Sequence, residues 1–194
     1  MTARTGLRTT VLRWGSVVAT VAIAVASCAP SAFVVAGSAA PSPAPSTAVG
    51  FRPTGATVMA KVVRVVDGDT IVVAFGGRQS KVRYIGMDTP ETVDPSSPVQ
   101  WMGPEASAAN KALVAGRDVV LEKDVSETDQ YGRLLRYVWL TNGPTWTLVD
   151  LELVEKGFAA VATFPPDVKY VDLFRAAERR ARAAGIGLWG PRPS

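Results

Sequence analysis

Between Trp14 and Gly50 the chain carries no charged residue, and this stretch limits which part of it can fold as a domain. Three arginines precede the stretch, and residues 17–25 are almost entirely Val, Ala and Ile. A basic start, about a dozen apolar residues and then small residues are typical of a secretory signal. The sequence therefore predicts that residues 1–40 are a signal peptide or a membrane or lipid anchor.

The leader contains two alternative processing signals. Residues 38–40 (SAA) offer a small-residue cleavage site, whereas residues 25–28 (VASC) resemble a bacterial lipobox in which Cys28 would be lipidated. An uncleaved N-terminal anchor is the third possibility. We therefore expect a secreted or extracytoplasmic protein, either free or tethered to a membrane through this segment.

The rest of the chain divides into a linker and one domain. Residues 41–50 (PSPAPSTAVG) lack the bulky apolar side chains that a packed element needs, so we expect a disordered linker over 41–55. A single domain is predicted over 56–190, which is an ordinary domain size.

Strand signals come first in this domain and helix signals follow. The predicted strands cover 58–66, 71–75, 81–87, 118–123 and 134–140, and the predicted helices cover 104–116, 147–156 and 171–184. In the third helix, Leu173, Ala177 and Ala181 fall on one face. Five strands and three helices predict an α+β fold built on a small closed β-barrel.

Composition excludes several kinds of chemistry. The chain has no histidine and one cysteine, so imidazole bases, Cys-His pairs, intrachain disulfides and thiolate zinc sites are ruled out. The net charge of +4 falls to +1 without residues 1–40, because 18 Lys and Arg then face 17 Asp and Glu. A nearly neutral domain argues against broad coating of nucleic acid, so a polyanion site would have to be local.

Acidic residues gather where strands are predicted to end. Asp69 belongs to a VDGDT turn, and Asp88 and Glu91 belong to a DTPET segment behind the third strand. Such turns are often only structural. Because the two strands pair, however, Asp69 and Asp88 can reach one point, and oxygen ligands suit a hard cation such as calcium.

Two arginines supply possible positive partners, Arg83 before Asp88 and Arg133 in a DQYGR loop. Either could be an ordinary salt-bridge residue. The spacing of five also puts Arg83 and Asp88 on opposite faces of an ideal strand, unless Gly86 forms a bulge or ends the strand.

Taken together, VDGDT (66–70), R-x4-DTPET (83–92), GPEAS (103–107) and D-x-YGR (129–133) closely resemble the staphylococcal nuclease, or thermonuclease, family. The resemblance covers roughly residues 56–189. It implies an OB-type five-stranded β-barrel with three helices, and a monomer. It also implies Ca²⁺-dependent hydrolysis of phosphodiester bonds in DNA and RNA, which leaves 3′-phosphate ends.

The resemblance also implies roles for individual residues. Asp69, Asp88 and the main-chain carbonyl of Thr89 would be calcium ligands, and Glu91 would activate or position the attacking water. The phosphate would be held by Arg83 and Arg133, with Tyr131 beside it. Arginine suits this role because its forked donors match phosphate oxygens and its charge is permanent.

The sequence departs from the family where substrate binding is concerned. Family members often carry a lysine-rich loop after DTPET, but residues 93–102 here are VDPSSPVQWM. Gln130 stands where a base is usual, and no tyrosine occurs near 163–164, where the family has a base-stacking one. Phe164 or Trp101 could supply that stacking.

Two other functions remain open at this point. The chain could be a catalytically silent OB module that binds nucleic acid or a protein at the cell envelope, although all five key side chains are present. It could also be a structural calcium-binding envelope protein, which would leave Arg83 and Arg133 unexplained.

Overall fold

The computed structural model describes residues 51–93, 96 and 98–192. The predicted leader with Cys28, and the linker up to residue 50, lie outside the described residues. The strands are β1 (Thr57–Val65), β2 (Thr70–Phe75), β3 (Arg78–Tyr84), β4 (Met87–Asp88), β5 (Asp118–Glu122), β6 (Leu134–Asn142), β7 (Thr145–Leu148) and β8 (Ala160–Val161). The helices are α1 (Gly103–Val114), α2 (Val149–Glu155) and α3 (Val171–Ala184), followed by a 3-10 turn at Gly187–Trp189.

Six strands form a curled sheet in the order β3-β2-β1-β5-β6-β7, with antiparallel neighbours. In addition β3 pairs with β6 in parallel, with Val82 opposite Leu134 and Tyr84 opposite Arg136. This pairing closes β1, β2, β3, β5 and β6 on themselves, which is consistent with an OB-type barrel. The α+β prediction with three helices is confirmed for the described part of the chain.

Two element predictions were wrong in detail. The helix predicted over 147–156 begins only at Val149, because Thr145–Leu148 pairs with β6 as a hairpin around the Asn142-Gly143 turn. The third strand ends at Tyr84 rather than residue 87, because Gly86 takes a φ of 84° and breaks it.

The core is one apolar cluster to which all barrel strands and helices contribute. In α3 the buried residues are Phe174, Ala177 and Ala181, whereas Leu173 is 42% exposed, so its predicted place on the apolar face was wrong. Phe174 is fully buried, which stabilises the fold by about 2–3 kcal/mol. Its ring lies 3.0 Å from where a Cβ on Gly86 would be, so α3 packs directly against the break after β3.

One buried carboxylate joins several elements, and we call it and its donors the Glu122 network. Glu122 accepts hydrogen bonds from the backbone N–H of Thr54 and Gly55, the Trp139 indole, the Lys169 ammonium and the Tyr170 hydroxyl, at 2.5 to 3.0 Å. The Phe51 ring lies 4.9 Å from that of Trp139. The chain therefore contacts the barrel from Phe51 onward.

No helix in the described part of the chain is both long and apolar enough to cross a membrane.

Candidate active site

The acidic turn between β1 and β2 is fixed by its own backbone and by α1. Asp69 donates its backbone N–H to the Asp67 carboxylate at 3.0 Å, and Asn110 of α1 donates its side-chain amide to the Asp67 carbonyl at 2.9 Å. A Cβ on Gly68 would lie 2.7 Å from the Thr89 side chain, so only glycine fits there. The turn therefore lies directly against the DTPET segment.

Asp69 is 5% exposed, and its carboxylate contacts both neighbouring segments. It accepts hydrogen bonds from the Thr70 hydroxyl at 2.9 Å and from the Thr89 hydroxyl and backbone N–H at 2.9 and 3.0 Å. It also forms an ion pair with Arg83. Asp69 thus ties the DTPET segment to the VDGDT turn.

Asp88 reaches the same arginine because the chain changes direction at Gly86. Arg83 donates to the Asp88 carboxylate at 2.5 Å, and the Asp88 side chain is 61% exposed. Gly86 ends β3, and the short strand β4 then pairs Asp88 with Ala160 of β8. The geometry that the spacing of five required is present, and it comes from a strand end and not from a bulge.

The α3 helix supports Asp88 through β8. Glu178 of α3 accepts a hydrogen bond from the backbone N–H of Val161 at 3.0 Å, and Val161 pairs with Met87. The arginine-rich helix therefore acts structurally on the site, since it fixes the strand that carries Asp88.

Glu91 is held by its own loop. One of its carboxylate oxygens accepts the backbone N–H groups of Thr92 and Val93 at 2.8 and 2.7 Å. Gln100 accepts the Glu91 backbone N–H at 3.1 Å and donates its own backbone N–H to the Glu91 carbonyl at 3.0 Å. The backbone on both sides of the carboxylate is therefore constrained.

Arg133 is positioned by Asp129, four residues earlier. Its guanidinium Nε donates to the Asp129 carboxylate at 2.6 Å, and the backbone N–H groups of Tyr131 and Arg133 donate to the same carboxylate at 2.9 Å. Burial raises the pKa of Asp129, but these bonds outweigh it and leave the pKa lowered. Asp129 therefore stays ionised and holds the arginine.

All these side chains line one pocket of about 180 Å³, which we call the acidic pocket. Its lining residues are Asp67, Asp69, Arg83, Asp88, Thr89, Pro90, Glu91 and Arg133. The structure thus brings together the predicted metal ligands, the predicted water-activating residue and both predicted phosphate-binding arginines. With all six charged groups ionised, four carboxylates and two guanidiniums leave two excess negative charges.

The donors in this pocket fit a hard cation. They are carboxylate and carbonyl oxygens only, which is the ligand chemistry of Ca²⁺. Among the described residues, no three acidic side chains already form a metal-binding group. Arg83 explains this, because it pairs with both Asp69 and Asp88 and takes the place of a cation between them.

A second pocket, of about 350 Å³, adjoins the first and shares Arg83 and Arg133 with it. Tyr131 and Phe164 line it and are 75% and 70% exposed, so both rings can meet a ligand. Trp101 lines neither pocket and is half-buried. Of the two aromatic candidates for stacking, the structure places Phe164 beside the site.

Comparison with known proteins agrees with this geometry. The model of the staphylococcal nuclease homologue family matches residues 81–191. The chain belongs to the staphylococcal nuclease family. It is 41% identical over 129 residues to the thermonuclease of Staphylococcus hyicus, across 66% of this chain and 74% of that protein. It is 40% identical over 128 residues to the Staphylococcus intermedius thermonuclease, with the same coverage. Endonuclease YncB of Bacillus subtilis (strain 168) is 42% identical over 128 residues, across 65% of this chain and 59% of that protein.

Within this family member, sequence reasoning missed four residues that shape the site. Asp67 lines the pocket, and its D-x-D spacing with Asp69 was the available signal. Asp129 stands four residues before Arg133 in the motif itself. Asn110 and Gln100 act through hydrogen bonds to distant backbone, and no local pattern reveals such bonds. Burial raises the pKa of Asp67, although Arg83 opposes the shift.

Proposed function

We propose that this protein is a Ca²⁺-dependent nuclease that hydrolyses phosphodiester bonds in DNA and RNA and leaves 3′-phosphate ends. The observation that carries the proposal is the acidic pocket, where Glu91 and two arginines face carboxylates of a hard-cation type. The relatives named thermonuclease or endonuclease support it.

The charge of the pocket supports a need for a dication. A phosphodiester is an anion, and two excess negative charges would repel it. Asp69, Asp88 and the Thr89 carbonyl would hold the ion, with Asp67 as a further carboxylate nearby. Once bound, Ca²⁺ would supply charge neutralisation and polarise the phosphate oxygens.

Arg83 has two roles in this proposal. In the structure it pairs with Asp69 and Asp88, the same carboxylates that would hold the ion. A cation bound there competes with the guanidinium, which then becomes available to the phosphate. Arg133, held by Asp129 at the opposite wall, completes a clamp that stabilises the charge developing on the phosphate oxygens.

Glu91 performs the proton transfer. A water oxygen attacks phosphorus, the Glu91 carboxylate takes the water proton, and the bond from phosphorus to the 5′-oxygen breaks. Solvent protonates the 5′-oxygen, and the phosphate stays on the 3′-oxygen. The backbone hydrogen bonds from Thr92 and Val93 hold the carboxylate in one orientation for this step.

The test is digestion of single-stranded DNA and of RNA with Ca²⁺ or with a chelator, for the wild type and for Glu91→Gln. We expect no activity in chelator and a turnover at least about a hundredfold lower in the variant. Glu105→Gln, an exposed glutamate in the first turn of α1, is the matched control and should keep full turnover. Full activity of Glu91→Gln would contradict its role, and no cleavage by the wild type would favour the silent binding module.

We further propose that the protein acts outside the cytoplasm, as the basic and apolar leader indicates. The mass of the mature protein distinguishes the alternatives. Cleavage near residue 40 gives free protein, a diacylglyceryl mass on Cys28 gives a lipoprotein, and the full-length mass gives an uncleaved anchor. Recovery of the protein only from the cytoplasm would contradict export.

A further inference from the structure

A third depression runs along the outside of β3, and we call it the β3 groove. Its volume is about 490 Å³, and it lies between the start of β3 and the loop that carries Arg133. Its lining residues are Arg78, Gln79, Ser80, Lys81, Glu127, Thr128, Tyr131, Gly132, Arg133 and Leu134. Tyr131 and Arg133 also line the aromatic pocket beside the site, so the groove is continuous with it.

The strand register aligns the cations of this groove. Val82 lies opposite Leu134 in the parallel pair of β3 and β6, so the preceding positions, Lys81 and Arg133, are also neighbours. Side chains alternate along a strand, which puts Lys81 and Arg83 on one face about 6.6 Å apart. Lys81 therefore extends the positive side of the site along the strand.

The charge of the groove is opposite to that of the acidic pocket. Arg78, Lys81 and Arg133 line it against Glu127 alone, which leaves two positive charges. Glu127 is moreover already paired with Lys123 and Arg136 outside the groove. Among the described residues no carboxylate forms an ion pair with Arg78 or Lys81, and Arg78 lies over the Phe75 ring.

We propose that the β3 groove binds the nucleotides that flank the cleaved bond in a single-stranded substrate. Arg78 and Lys81 contact successive phosphates, and the exposed Tyr131 ring stacks on a base between the groove and the site. This inference rests on the proposed nuclease function. It also replaces, at a different place in the fold, the positive charge that the segment 93–102 lacks.

The test uses the double variant Arg78→Gln/Lys81→Gln. The matched control is Arg175→Gln/Arg179→Gln, which removes two exposed arginines of α3 that line no part of the groove. Two substrates are compared in Ca²⁺: a trinucleotide, which can reach only the site, and a single strand of twelve nucleotides. Binding of the longer strand is also measured in chelator, where it is not cut, at several salt concentrations.

The wild type should cleave the longer strand with a lower KM than the trinucleotide. The groove variant should keep its kcat/KM on the trinucleotide and lose at least about tenfold on the longer strand. Its salt slope of binding should fall by about 1.4, because two phosphate contacts are lost, each contributing about 0.7 for single strands. The control should match the wild type in both assays.

Each other result has a definite meaning. If the groove variant keeps the full length advantage and the wild-type salt slope, the groove does not bind substrate, while the nuclease function stands. If the variant loses activity on both substrates equally, its effect lies in the site or the fold and the groove proposal is wrong. If the wild type cleaves neither substrate, the proposed function fails and the groove proposal fails with it.

Discussion

The acidic pocket and the Glu122 network contain the same kinds of groups, yet only one of them can act on a ligand. Glu122 is fully buried and meets five donors of its own chain, including the Lys169 ammonium. In the acidic pocket two aspartates share one arginine, and the carboxylates line an open cavity. The difference is whether the chain itself satisfies the acceptors. A carboxylate next to a cation therefore indicates a binding site only when its acceptors remain accessible.

The largest effect should follow from removing a cation of the acidic pocket. Arg133→Gln should lower turnover on single-stranded DNA by about 10²–10³-fold, because a preorganised positive charge is lost where negative charge develops. The free energy of unfolding should change by about 1 kcal/mol or less, since only the bond to Asp129 is lost. Steady-state turnover and urea unfolding measure the two quantities. A large loss of stability with normal turnover would make Arg133 a structural residue like Lys169.

The reverse result is expected in the Glu122 network. Glu122→Gln should lower the free energy of unfolding by about 3 kcal/mol, because a buried ion pair with Lys169 is broken, while turnover per folded molecule stays normal. Burial raises the pKa of Glu122, but hydrogen bonds from Lys169, Gly55 and Thr54 outweigh it and lower the pKa below 4.5. The stability that this carboxylate contributes is therefore complete above pH 4.5, and it is lost as the pH falls through the lowered pKa.

Unfolding by urea between about pH 3 and 7 measures this contribution. The difference between wild type and Glu122→Gln should shrink toward the acid end of that range. Glu127→Gln is the control, because its side chain is 54% exposed and its ion pairs contribute about 1 kcal/mol or less. An equal loss of stability in both variants would remove the contrast between a buried and an exposed carboxylate.

The sequence alone predicted the barrel and the members of the acidic pocket to different depths. Periodicity placed the five barrel strands and three helices within a few residues, since strand and helix spacing is a local property. The hairpin of β7 was missed because Thr145–Leu148 is short, and its last residues merged with the apolar spacing of α2.

The site residues were found through motifs, and their supports were not. Asp69, Arg83, Asp88, Glu91 and Arg133 stand in short segments whose spacing is informative. The contacts that fix them come from elsewhere in the chain, as when Asn110 reaches the Asp67 carbonyl. Such hydrogen bonds depend on how helices dock on the barrel, and only the folded structure shows them.

Asp150 is a third carboxylate and sharpens the comparison, because it is fully buried without any cation. One oxygen accepts the backbone N–H of Val138 at 2.8 Å, and the other has no hydrogen-bond partner among the described residues. Burial raises the pKa of Asp150 well above 3.8, so the folded protein holds a proton there that the unfolded chain releases. Stability from this group is therefore complete below pH 3.8 and falls as the pH rises toward the raised pKa.

Asp150→Asn should remove this dependence, since the amide has a similar shape and does not titrate. The variant should gain stability relative to wild type by up to about 1.4 kcal/mol for each pH unit above 3.8, until the raised pKa is reached. Urea unfolding of both proteins between about pH 4 and 7 measures the difference. The trend runs opposite to that of Glu122, because Lys169 stabilises the charge of Glu122 and no cation does so for Asp150. Parallel pH profiles of wild type and Asp150→Asn would show that Asp150 is ionised in the fold.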